Sequence, residues 1–84
     1  MELERKKEIA ALLIGKAVEV TNTTNHDVFV DYAPHVNWID VRIYRNGWYK
    51  GATGTSIFVN FDKVSDTEEE FWVAMNTLEA IANN

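Results

Sequence analysis

The residue types able to do chemistry in this chain are few and loosely spaced. His26, Asp27, Asp31 and His35 cluster within one stretch, and histidines and carboxylates are the usual ligands of divalent metals. Their offsets match no zinc or calcium motif, which needs three or four ligands at recurring spacing. No metal centre is expected. Ser56 and Ser65 lack a nucleophile elbow or any triad context. Gly51-Ala52-Thr53-Gly54 is too short to cradle a phosphate, and no helix follows it. Asp31 and Asp40 sit where neighbouring strands would make them cross-strand partners. Paired carboxylates can serve general acid–base work, but Arg42 on the same face reads more simply as their charge partner. Asn22-Thr23-Thr24 matches a glycosylation sequon, idle without a secretory signal. The chain is expected to be no enzyme and to carry no cofactor.

Binding is the remaining class, and charge narrows it. The 84 residues hold thirteen acids and eight bases, for a net charge of −5. Residues 1–16 carry +1, residues 17–59 carry −1 and residues 60–84 carry −5. A face that displaces counterions from phosphates must be basic, so direct nucleic-acid binding is not expected. The acidity suits a basic partner, or solubility alone. There is no cysteine, which excludes disulfides and thiolate chemistry. The longest apolar run, Ile9 to Ile14, is far below the roughly 20 residues that span a membrane, and the mixed-charge N-terminus does not read as a signal peptide. A cytoplasmic protein is expected, in one domain over residues 1–84. The composition, 46% hydrophobic and 25% charged, is that of an ordinary globular chain.

The elements that position these residues follow from periodicity. Leu3, Ile9, Leu12 and Leu13 predict a helix over residues 2–14, ended by Gly15. Ala17-Val18-Glu19-Val20-Thr21 alternates and predicts a strand. His26 to Tyr32 alternates again, with Val28, Val30 and Tyr32 on one face, until Pro34. Asn37 to Arg45 is the clearest strand, with Ile39, Val41 and Ile43 on one side. Asn46-Gly47 suits a type I′ turn that sets Arg45 opposite Trp48, with Trp48-Tyr49-Lys50 as the return leg. Ser56 to Asp62 alternates last. Residues 67–82 predict a second helix, capped by Thr67 with Glu70 at capping-box spacing. The expected class is α+β: an N-terminal helix, a four-stranded antiparallel meander and a C-terminal helix, the helices packed on one sheet face.

The second sheet face would then carry Phe29, Asp31, Trp38, Asp40, Arg42, Tyr44, Phe58 and Asn60. A solvent face is ordinarily polar, and aromatics with arginine are the types that dominate interfaces. This face is read as a contact surface, for a second copy or another partner, as aromatic pairs that stabilise the sheet, or as core under a helix folded over it. Trp48 and Tyr49, after the turn, are read as contact residues or as packing on the sheet edge. Asp66-Thr67-Glu68-Glu69-Glu70 is read as acids favouring a helix N-terminus, or, through Glu68 and Glu69, as a mimic of phosphates.

The segment Pro34 to Trp48, PHVNWIDVRIYRNGW, resembles the centre of small proteins encoded by phages and prophages of Gram-positive bacteria. The segment Asp66 to Leu78, DTEEEFWVAMNTL, is similar to the last helix of small acidic type II-A anti-CRISPR proteins, which block their effector nuclease as DNA mimics. The order in that family, a helix, a three-stranded sheet and then helices, is also similar. This chain departs from it in an extra expected strand, more aromatics and fewer loop acids. The resemblance implies a viral, host-directed protein that inhibits a bacterial antiviral defence protein, such as a CRISPR effector; the residues read from the pattern as its contacts are Phe29, Trp38, Asp40, Arg42, Tyr44, Trp48, Tyr49, Phe58, Glu68 and Glu69. Two other roles are compatible with the residues. One is an oligomeric sponge for a nucleotide immune signal, with aromatics stacking the base and Arg42, Arg45 and Lys50 on the phosphates. The other is a structural or regulatory phage protein. A homodimer is the simplest oligomer.

Overall fold

A computed structural model describes residues 1–83. The elements are α1 (Leu3–Thr23), β1 (Asp27–Ala33), β2 (Trp38–Tyr44), β3 (Thr55–Asn60) and α2 (Val64–Ala82). The fold is α+β, and the strands form one antiparallel meander in the order β1-β2-β3. There are three strands among the described residues, not the four expected.

The missing strand is the second half of α1. Ile9, Leu13, Ala17 and Val20 are all buried, at spacings of three and four residues, so one helical stripe continues past Gly15. A strand at Ala17–Thr21 would put Val18 and Val20 on one face, yet Val18 is 57% exposed and Val20 fully buried. Gly15 does not stop the helix. A glycine there costs about 1 kcal/mol relative to alanine, which burial of Ala17 and Val20 outweighs at about 25 cal/mol per Å² of apolar surface. The helix ends instead where Thr23 Oγ1 and Thr24 Oγ1 donate to the Glu19 and Val20 carbonyls, each at 2.7 Å. Thr21 Oγ1 then accepts from Val28 N–H at 2.9 Å, fastening the start of β1 to the end of α1.

The tight hairpin at Asn46-Gly47 is also absent. Both residues have positive φ, 66° and 100°, as expected, but the turn closes one residue early: Gly47 N–H donates to the Tyr44 carbonyl at 3.2 Å. Arg45 and Trp48 therefore do not face each other, and Trp48-Tyr49-Lys50 is loop rather than a strand. Two side chains of the preceding segment hold that loop. His26 Nδ1 accepts from Asn46 N–H at 3.0 Å, and Asp27 Oδ2 accepts from Trp48 N–H at 2.6 Å. The return strand is β3, in register Ile39 with Val59 and Val41 with Ile57.

α2 begins at Val64, earlier than expected, so Thr67 is not its cap. Thr67 is buried in the first turn, with its hydroxyl 2.6 Å from the Asn60 carbonyl and 3.0 Å from that of Lys63. Glu70 closes the same corner by accepting from Asn60 N–H at 2.9 Å.

Both helices cover one face of the sheet. Ile9, Leu13, Ala17 and Val20 of α1 and Phe71, Ala74, Leu78 and Ile81 of α2 share a core with Val28, Ile39, Val41, Ile43 and Val59. Arg5 pairs with Glu68 and Lys16 with Glu79, both at a separation of 63 residues, so the helices run parallel. At their starting end Lys6 lies 5.0 Å from the ring centroids of both Tyr32 and Phe61. Tyr32, on the strand face of Val28 and Val30, stays exposed beside that ammonium.

Candidate functional site

The face of the sheet away from the helices is open, and strand register decides what meets on it. From β2 it carries Trp38, Asp40, Arg42 and Tyr44. Across from these lie Ala33, Asp31, Phe29 and Asp27 of β1, and Asn60, Phe58 and Ser56 face the first three from β3. Asp31 and Asp40 are the cross-strand partners their spacing implied. Three carboxylates against one guanidinium leave the face acidic.

Its aromatics form two pairs. Trp38 and Phe58 lie 5.0 Å apart between ring centroids, tilted by 57°. Phe29 meets Tyr44 edge-on at 5.4 Å. Phe29 and Phe58 remain exposed and Trp38 half-buried, but Tyr44 is buried. The cover over Tyr44 is the loop before β3. A Cβ placed on Gly54 would stand 2.8 Å from the Tyr44 ring and 3.0 Å from Arg42 Cγ, so glycine is what lets that backbone lie against the tyrosine. Gly54 is the site-shaping residue that sequence reading missed. A glycine just before an alternating strand was its only signal.

Between the aromatic pairs lies Asp40, only 8% exposed. Its Oδ2 accepts from Arg42 Nη2 at 2.9 Å, while Oδ1 is buried without a hydrogen-bond partner. The Tyr44 hydroxyl and the Asp40 carboxylate both favour the charged form of Arg42 and raise its pKa. A half-satisfied buried carboxylate costs roughly 1–3 kcal/mol, and Asp31 directly opposite adds like charge. A donor arriving from outside, above all a cation, would relieve both. Arg42 is already engaged, so an anionic ligand would have to compete with Asp40 for it.

The other expected contact residues lie elsewhere. Trp48 and Tyr49 stand on the loop after β2, with 53% and 67% of their surface exposed. Glu68 and Glu69 are on α2, on the helix layer. Glu68 is held by Arg5, with Oε1 and Oε2 accepting from Nε and Nη2 at 2.8 and 2.9 Å. That hydrogen bonding lowers its pKa. Glu69 is exposed. Glu68 thus lies on the helix layer, while Asp66, Glu69 and Glu70 reach the β3 edge of the sheet, where they line one groove with Ile57 and Phe58. His26, Asp27, Asp31 and His35 do not converge, and the described residues contain no cluster of three or more potential metal ligands. No helix among them is long and apolar enough to cross a membrane. Comparison with protein-family models, with curated proteins and with solved structures finds no match for this chain.

Proposed function

We propose that this protein acts by binding, and that the open sheet face is its contact surface for a basic region of another protein. The observation that carries the reading is the buried, unpartnered Oδ1 of Asp40 on a face with two aromatic pairs and an excess of carboxylates. Exposed rings attract cations through their faces, and a buried carboxylate adds directional acceptance for arginine or lysine. Basic surfaces are what nucleic-acid-handling proteins present. A bacterial antiviral nuclease, such as a CRISPR effector, is therefore the partner class that joins this chemistry to the resemblance, and inhibition of it in the host cytoplasm is the proposed role. In this reading Trp38 and Phe58 supply contact area, Asp40 and Asp31 take the cation, and Arg42 holds Asp40 in place.

The test is guided DNA cleavage by a type II-A effector with this protein added in excess. Wild-type protein is expected to suppress cleavage. Trp38→Ala and Asp40→Asn, each folded by circular dichroism, are expected to lose the effect. Suppression that survives both substitutions, or no suppression at any ratio, would refute the proposal.

A further inference from the structure

A groove of about 250 Å³ opens on the helix layer, beside the first two turns of α1. Ile39 and Phe61, both core residues, line it together with Ala10, and Leu3 and Tyr32 stand exposed at its rim. Lys6 also lines it. Its ammonium donates to the Tyr32 hydroxyl at 3.0 Å and to Asn37 Oδ1, between the rings of Tyr32 and Phe61. Asn37 is itself fixed, because its Nδ2 donates to Asp62 Oδ1 at 2.8 Å. The cation is therefore held by two neutral oxygens and two rings. Among the described residues, ion pairs engage Arg5, Lys7, Lys16 and Arg42, and none engages Lys6. The other bases outside ion pairs, Arg45, Lys50 and Lys63, are exposed to water, whereas Lys6 is half-buried. In a chain with thirteen acids against eight bases, one anchored, half-buried ammonium is left without a counter-charge.

We infer that this groove binds a small carboxylate with an apolar body, its charge on Lys6 and Tyr32 and its body against Leu3, Ala10, Ile39 and Phe61. An ammonium has three N–H donors and no acceptor, so Lys6 keeps one after serving Tyr32 and Asn37. The Tyr32 hydroxyl accepts from Lys6 and keeps its own proton to donate. Two donors 3.0 Å apart match the two oxygens of one carboxylate, and the bond to the ammonium is charge-assisted. The flanking rings keep water from part of the ammonium, which strengthens its attraction for an anion. The rest of the groove offers carbon. A bare anion gains nothing from it, and a neutral apolar molecule leaves Lys6 without a counter-charge. Sites for drug-sized ligands run to about 300–1,000 Å³. This groove is smaller, so the body it takes is a phenyl ring or a short branched alkyl chain. The groove shares no residue with the open sheet face, and the inference does not depend on what that face binds.

The probe is phenylacetate, with phenylacetamide as its uncharged counterpart and acetate as the carboxylate without a body, each followed by amide NMR titration. Phenylacetate is expected to give saturable shifts centred on Ala10, Tyr32, Ile39 and Phe61. Phenylacetamide and acetate are each expected to bind about tenfold more weakly or worse. Lys6→Met keeps an unbranched apolar stem without the charge and is expected to cost phenylacetate about tenfold in affinity. Tyr32→Phe, which removes only the hydroxyl, is expected to cost less. Ala10→Leu fills the groove from the helix side without touching Lys6 or Asn37, and is expected to abolish binding while circular dichroism stays native. Equal affinity for phenylacetate and phenylacetamide would overturn the inference. So would binding that Ala10→Leu leaves intact, shifts clustered away from the groove, or no saturable shift at millimolar phenylacetate.

Discussion

At the scale of single residues, the open face depends on one close approach. The Gly54 backbone lies against the Tyr44 ring, and an added methyl would fall well inside van der Waals distance of ring carbons. Gly54→Ala must displace either the loop backbone or the Tyr44 ring from this contact. Overpacking of this kind typically costs about 1–3 kcal/mol, and urea unfolding of Gly54→Ala is expected to show a loss of that size. The near-ultraviolet circular dichroism of Tyr44 should change with it. Outward placement of Trp38, Asp40, Arg42 and Phe58 was legible in the sequence, because Ile39, Val41, Ile43 and Val59 must enter the core and alternation leaves the others outside. The burial of Tyr44 and the stranded Asp40 oxygen was not legible. Both arise from a loop conformation and a cross-strand neighbour, and local pattern carries neither.

At the scale of elements, α1 shows why a period-2 signal misled. Ala17 to Thr21 alternates over only five residues, while the buried stripe Ile9, Leu13, Ala17, Val20 spans three turns and wins by packing rather than propensity. Gly15 is exposed, has no left-handed φ, and an added Cβ there meets nothing within 4 Å. Gly15→Ala is therefore expected to raise stability by about 0.5–1 kcal/mol, read as a higher thermal midpoint. A loss of stability would mean that the helix breaks at that point. Between the helices, Arg5 holds Glu68 and Lys16 holds Glu79, and these hydrogen bonds lower both carboxylate pKa values. Their contribution is present above the ordinary carboxylate pKa and is lost as pH falls through the lowered values. The double variant Glu68→Gln with Glu79→Gln should be modestly less stable than wild type at neutral pH, by urea midpoint. The gap should close on acidification. A gap independent of pH would show that the pairs act through packing alone.

At the scale of the whole molecule, both helices lie on one side of the sheet, and the acidic, aromatic face lies on the other. The α+β class, the meander and the terminal helices were legible because each rests on a periodic apolar stripe. The strand count was not, since residues able to pair in a strand were drawn into a helix by long-range burial. The central claim is that the open face, not the acidic start of α2, takes a basic partner. The most direct measurement is an amide NMR titration with a short arginine-rich peptide at low and moderate salt. Shifts are expected to concentrate on Asp31, Trp38 to Arg42 and Phe58, to weaken with salt, and to vanish in Asp40→Asn. Shifts confined to Glu68, Glu69 and Glu70, or unchanged by Asp40→Asn, would contradict the account.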